Sequence, residues 1–337
     1  MKRFAILAAI AVLLGSATVF AQEQDYALAG PKDGARYGVV EFSANYMREA
    51  PGFSQENGNQ ALMGTVVEIL GSESYWLKIK SPEPYTAWAV NMGVVEMTRE
   101  QLDNYLAAPK YLVTGEISHL YADASVKAAR VCDLVMGDLL RISVAVNGKP
   151  VKKKSFVKAV LPSGKEGWVP AKDVTCFSKW KETVTPTAEG VIRIAKLFVG
   201  VPYLWGGNTI KGTDCSGLTR CAFMMNGLLL PRNTSQQIKI GDEVDCSGVA
   251  SGDFSALKEG DLVLFGNPKT RKVSHVAIYI GDGHIIHSSN IVRINSLRPA
   301  DPDYYEGGVP RLLTVRRVIG NENCGKGIIS VKNSPWY

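Results

Sequence analysis

Between Asp25 and Phe177 the apolar residues come in runs too short for helices and too closely spaced for strand-helix units, which decides what half of the chain can become. Gly38-Val39-Val40, residues 61–70, Tyr75-Trp76-Leu77-Lys78-Ile79 and Tyr85-Thr86-Ala87-Trp88-Ala89 are separated by Gly, Pro and polar turns. Strands this short and this close together make a small β-barrel. The pattern recurs after Lys110, in residues 111–114, 139–144, 156–161 and 166–169. There the Pro162-Ser163-Gly164-Lys165 turn leads to Gly167-Trp168, repeating the tryptophan ending of the first set. Two tandem barrels from an internal duplication, over residues 25–97 and 110–178, are the economical reading.

Between them, over 98–109, Thr98 and Gln101 have the spacing of a capping box, Leu102, Tyr105 and Leu106 share a helical face, and Pro109 stops the helix. This segment is expected to dock between the barrels. Beyond a linker at 183–187 the period changes: Val191, Ile192, Ala195, Leu197 and Phe198 predict an amphipathic helix. A second helix is expected from Cys215 through Leu218, Cys221, Ala222, Phe223 and Met225 to Gly227, then strands at 261–265, 274–280 and 284–289. Helices followed by an antiparallel meander predict an α+β domain over residues 186–320.

Residues 1–21 have the form of a secretory signal: Lys2 and Arg3, an apolar run from Phe4 to Leu14, and a small-x-small ending at Val19-Phe20-Ala21. The chain is therefore expected to be exported, periplasmic or secreted, with no stable membrane insertion after cleavage. With 46% hydrophobic and 21% charged residues, the rest reads as ordinary globular protein. Removing Lys2 and Arg3 lowers the formal charge from +6 to +4, too mild an excess to argue for nucleic acid. The six cysteines are too sparse for a disulfide scaffold and include no CxxC zinc pair, so neither metal nor cofactor is expected. Cys132 and Cys176, in one expected β-domain, are the best candidates for a disulfide. A monomer is expected.

The chemistry gathers at Thr213-Asp214-Cys215-Ser216-Gly217, where a turn delivers a cysteine onto the start of a helix. Unpaired backbone N–H groups and the helix dipole favour thiolate there, so a lowered thiol pKa is expected. Two of the four histidines, His275 and His287, follow 60 and 72 residues later in strand-like runs. The interval between them fits a strand, the Gly281-Asp282-Gly283 turn and a return strand, which can bring both rings to one face. His275 can then act as general base toward Cys215, with His287 fixing its tautomer. His119 and His284 are expected to be bystanders.

Residues 45–51 with Trp88 resemble landmarks of a bacterial SH3-like domain. Residues 202–207, Asp214-Cys215-Ser216-Gly217, 260–265, 274–281 and Ile286-His287-Ser288, in that order and spacing, resemble the NlpC family of papain-like cell-wall cysteine peptidases. The resemblance implies two all-β SH3-like barrels followed by an α+β papain-like peptidase domain. Tandem SH3-like domains before such a peptidase resemble the γ-D-glutamyl-L-diamino acid endopeptidases, also called dipeptidyl-peptidase VI. By that resemblance the substrate is a peptidoglycan-derived stem peptide with a free N-terminal L-alanine, cut between γ-linked D-glutamate and the diamino acid. It further implies that Asp214, Ser216, Tyr85 and an acid from the first barrel, Glu56 or else Glu83, recognise the amine. Tyr203 could join the Cys215 backbone N–H in stabilising an oxyanion. Pro84-Tyr85-Thr86-Ala87-Trp88 departs from the subgroup, which usually has glycine beside the aromatic. Two readings compete: an amidase or acyltransferase of other specificity working in an open groove, and a non-catalytic envelope-binding protein.

Overall fold

The computed structural model describes residues 29–337, so the expected leader at 1–21 lies outside the described residues. Its first sheet contains β1 (Arg36–Val40), β2 (Ala44–Arg48), β3 (Asn57–Leu62), β4 (Val66–Glu73), β5 (Trp76–Ser81), β6 (Tyr85–Val90) and β7 (Val94–Met97). The strand order is β3-β2-β6-β5-β4-β1-β7. Each strand sends at least one side chain, among them Val40, Met47, Ala61, Val67, Ile79, Ala87 and Val94, into one core, which a sheet achieves only by curling on itself. The apolar run at 61–70 is two strands rather than one. The chain turns at Gly64 (φ +83°), where a side chain would run into the Leu139 carbonyl.

Helix α1 (Arg99–Ala107) carries the expected capping box: Gln101 N–H donates to Thr98 Oγ1 at 3.2 Å, and Thr98 N–H to Gln101 Oε1 at 2.8 Å. Its buried Tyr105 donates a hydroxyl hydrogen bond to the Gly64 carbonyl at 3.0 Å, docking the helix on the first sheet.

The second sheet contains β8 (Lys110–Val113), β9 (Ile117–Tyr121), β10 (Arg130–Val135), β11 (Leu139–Ile142), β12 (Lys152–Lys153), β13 (Phe156–Val160), β14 (Glu166–Pro170) and β15 (Val174–Cys176). With β12 off the main path, its order is β10-β9-β14-β13-β11-β8-β15, strand for strand the order of the first sheet. Trp168 pairs with Lys158 as Trp88 pairs with Lys78. The best candidates for a disulfide do not form one: Cys132 and Cys176 are free thiols, on the strands at opposite ends of this order.

The third unit opens with α2 (Phe177–Thr183) and α3 (Ala188–Leu197), followed by the short pair β16 (Asn208–Thr209) and β17 (Gly212–Thr213), then α4 (Cys215–Met224), β18 (Leu228–Leu229) and α5 (Thr234–Gln237). Its main sheet uses β19 (Asp242–Val244), β20 (Leu262–Gly266), β21 (Val273–Tyr279), β22 (His284–Ser289), β23 (Ile291–Ser296) and β24 (Leu312–Arg317), in the order β19-β24-β20-β21-β22-β23; β25 (Ile329–Ser330) pairs with β18. Leu218, Ala222 and Phe223 of α4 share a core with Leu264, Val276, Ile278 and Ile286, while Val263, Phe265, Ala277 and Ile285 pack in another. With both faces covered, β20 to β22 read as nearly continuous apolar runs. Among the described residues, no helix is long and apolar enough to cross a membrane.

Candidate active site

Cys215 is the first residue of α4, and Asp214 is its N-cap. Asp214 Oδ1 accepts from Gly217 N–H at 2.7 Å, Ser216 Oγ at 3.1 Å and Arg232 Nη1 at 3.1 Å. Its Oδ2 accepts from Gly206 N–H at 2.9 Å and Arg232 Nη2 at 2.6 Å. A carboxylate offers about four acceptor sites, so these donors saturate it. Ser216 Oγ also accepts from Arg232 Nη1 at 2.8 Å. Both residues line the cleft, and their polar groups hold the turn that carries Cys215. Arg232 is 1% exposed and donates from Nε to Asn59 Oδ1 of the first sheet at 2.8 Å. Sequence reasoning missed it; the available signal was a lone charge closing the Leu228-Leu229-Leu230-Pro231 run.

The sulfur meets Thr234 Oγ1 at 3.7 Å and the backbone N–H of Val276, the residue after His275 on β21. Among the described residues, no hydrogen bond joins it directly to an imidazole. Burial pushes the Cys215 thiol up, and the Asp214 carboxylate adds to the effect. The expected lowering by the helix N-terminus is thus overturned: desolvation disfavours the thiolate more than nearby donors and Arg232 favour it.

The histidines share a sheet face, diagonal rather than opposite, because the register pairs Ile278 with Ile286 and Tyr279 with Ile285. His275 Nε2 lies 2.8 Å from His287 Nδ1, and His287 Nε2 lies 2.9 Å from Asn295 Oδ1 on β23. Asn295 Nδ2 donates to the Asp303 carbonyl at 2.6 Å, which turns its Oδ1 toward His287. The network then assigns the protons in order: His287 Nε2–H donates to Asn295, His275 Nε2–H donates to His287, and His275 Nδ1 keeps a lone pair. Tyr305 packs against both rings, at centroid distances of 6.1 and 4.7 Å. Burial holds both imidazoles well below the ordinary histidine range, with Arg311 adding to the effect at His275 and Arg293 at His287. Near neutral pH the site therefore holds a neutral thiol and two neutral rings. Asn295 was not legible from the sequence, since β23 lacks a clean apolar alternation.

A cleft of about 370 Å³ runs from Cys215 to the first sheet, lined by Ser216, Tyr203, Trp205, Lys272, Ser274, Glu49, Glu56 and Tyr85. The Tyr85 hydroxyl donates to Glu49 Oε1 at 2.6 Å; burial, then Glu49, pushes the phenol up, so it stays a donor. A side chain at Gly58 would collide with that hydroxyl, so this position keeps the pair open to the cleft. Glu56 reaches the same cleft, but Glu49 is the tyrosine's partner and was not anticipated. The substitute acid, Glu83, is elsewhere: buried, it pairs with Arg220 at 3.2 Å and accepts from Tyr337. Tyr203 is half-buried in the cleft, and burial followed by the charges of Cys215 and Asp214 pushes its phenol up. His284, with Asp301 and Asp303, forms a group whose potential metal donors lie within 4.8 Å of one another; none of the three lines the cleft.

Residues 200–306 match the NlpC/P60 family and residues 43–94 the bacterial SH3 domain. A gamma-D-glutamyl-L-lysine dipeptidyl-peptidase of Bacillus cereus is 29% identical over 261 residues, covering 73% of this chain and 72% of that one. The dipeptidyl-peptidase 6 of Lysinibacillus sphaericus is 23% identical over 278 residues, covering 79% and 93%. The crystal structure of an NlpC/P60 family protein from Bacillus cereus has the same fold, with a TM-score of 0.69 at 23% identity over 84% of this chain and 99% of its own.

Proposed function

The chain carries a bacterial SH3 domain and an NlpC/P60 domain of the peptidoglycan-hydrolase family, and from that premise we propose a cysteine endopeptidase acting on peptidoglycan stem peptides. It hydrolyses the bond between γ-linked D-glutamate and a diamino acid in peptides with a free N-terminal L-alanine, and it is exported. The shared strand order of the two sheets supports reading residues 110–178 as a second SH3-like barrel beside the first at 25–97, with 98–109 the connector and 186–320 the peptidase domain.

The observation that carries the substrate reading is the Glu49–Tyr85 pair facing the cleft of Cys215. A carboxylate with a hydroxyl beside it accepts the hydrogens of an ammonium group, whereas an acetylated nitrogen keeps a single N–H and no charge to pair with it. Glu56 adds a second negative charge to the same space. Asp214 and Ser216 act by holding the turn that faces this pocket.

In catalysis, His275 Nδ1 takes the Cys215 proton as the sulfur attacks the γ-carbonyl carbon, so the neutral resting pair becomes ionised only with substrate present. The Cys215 backbone N–H and the Tyr203 hydroxyl face the developing oxyanion. His275 returns its proton to the amine of the departing diamino acid, leaving a thioester. Water, deprotonated by the same nitrogen, then attacks the thioester carbon and releases L-alanyl-D-glutamate, and the proton on His275 returns to the Cys215 sulfur. His287 and Asn295 keep the ring in the tautomer that this cycle needs.

The test is cleavage of L-Ala-γ-D-Glu-L-Lys and its N-acetylated form by wild type, Cys215→Ala and Glu49→Gln. Expected are a strong preference for the free amine, no turnover by Cys215→Ala, and KM raised about tenfold in Glu49→Gln. Turnover by Cys215→Ala would refute the mechanism, and equal cleavage of both peptides by wild type would refute the amine pocket.

A further inference from the structure

Outside the cleft, a second buried cluster ties the first sheet to the helix that bears Cys215. Glu83 lies in the turn between β5 and β6, two residues before Tyr85. Its carboxylate pairs with Arg220 of α4, Nη2 to Oε2 3.2 Å, and both side chains are largely buried, at 7% and 13% exposure. The Tyr337 hydroxyl donates to Glu83 Oε1 at 2.5 Å and also meets the Thr65 hydroxyl. Beside it, Trp336 is buried against Tyr37, with ring centroids 5.6 Å apart, and Lys181 Nζ donates to the Tyr337 carbonyl at 2.9 Å. Residues 336–337 thus form a strap from the third unit onto the first sheet.

We infer that Tyr337 is a positioning residue for substrate selection. By completing the hydrogen bonding of Glu83, it holds that carboxylate on Arg220, and this fixes the turn carrying Tyr85 relative to α4. Arg220 follows Cys215 by five residues on one continuous helix, so the distance from sulfur to ion pair is set by helix geometry. A second link between turn and peptidase side among the described residues is a long one, Gln236 Nε2 to the Pro84 carbonyl at 3.5 Å. Without its phenol donor, the buried Glu83 oxygen is left short of a partner and the turn gains freedom to seek one. Hydrogen bonds to an ammonium group tolerate little displacement, so selection for the free amine weakens before the chemistry at Cys215 does. The inference rests on the amine-pocket reading above.

Tyr337→Phe keeps the ring and its packing and removes only the donor. The measurement is kcat/KM for L-Ala-γ-D-Glu-L-Lys divided by that for the N-acetylated peptide. Both values come from one preparation, so the ratio is independent of how much of the variant folds. The ratio is expected to fall about tenfold, through KM for the free peptide, with kcat within about twofold of wild type. Lys332→Gln breaks the nearby Lys332–Glu182 pair without touching Glu83 and is expected to leave the ratio unchanged. A wild-type enzyme that discriminates, with a Tyr337→Phe variant that discriminates equally, overturns the inference alone. An equal fall in Lys332→Gln overturns it too, because general loosening then accounts for the effect. Wild type cutting both peptides alike removes the amine pocket and the inference together.

Discussion

Replacing Arg232 with Met tests whether the turn that carries Cys215 is held by charge. The side chain is fully buried and makes four hydrogen bonds, to Asn59 Oδ1, both Asp214 oxygens and Ser216 Oγ. Methionine fills much of the same volume but leaves Asp214 with only Gly206 N–H, Gly217 N–H and Ser216 Oγ as donors. Keeping an unpaired buried carboxylate charged costs about 3–5 kcal/mol. The variant's destabilisation should therefore be about 3–5 kcal/mol. Urea midpoints of the two proteins measure it. A destabilisation below about 1 kcal/mol would refute the argument.

Asn295→Ala should lower kcat by about 10- to 100-fold with KM little changed, since it frees the His287 tautomer without touching substrate; a change confined to KM would contradict the relay. Because burial holds the Cys215 thiol up, its alkylation by iodoacetamide at pH 7 should be slower than that of a free cysteine and keep rising beyond pH 9. A rate already on its plateau at pH 7 would mean a resting thiolate. Burial also lowers both buried imidazoles, to about 3 for His275 and about 4 for His287. From pH 6.5 down through those values the unfolded chain binds protons that the native state refuses, so stability falls with falling pH. His287→Gln should flatten the decline of the urea midpoint between pH 6.5 and 4.5, and an unaltered slope would count against buried neutral rings.

What could be read from the sequence was what local pattern encodes. The strand runs, the capping box at Thr98 and Gln101, and the helix started by Cys215 all depend on neighbours a few residues apart. His275 and His287 were legible because one hairpin carries both and strand alternation fixes their face. Glu49 was missed because its link to Tyr85 spans 36 residues and depends on how the first sheet curls. Arg232 meets Asp214 and Ser216 only when its own unit folds, and Asn59 only when that unit closes on the first sheet. Asn295 depends on β23, a strand whose polar residues hide its alternation. The raised thiol was illegible for the same reason: a helix N-terminus is a local feature, whereas desolvation is a property of the assembled core.

The carbonyl of Asp303 has a consequence for how this site can change over time. It orients the Asn295 amide and through it the direction of every proton in the histidine relay, yet it belongs to the backbone and not to a side chain. Any residue at position 303 supplies the same acceptor, provided the loop keeps its path. The relay's polarity is therefore shielded from substitution at the very position that sets it, and what drift must conserve there is the course of the main chain.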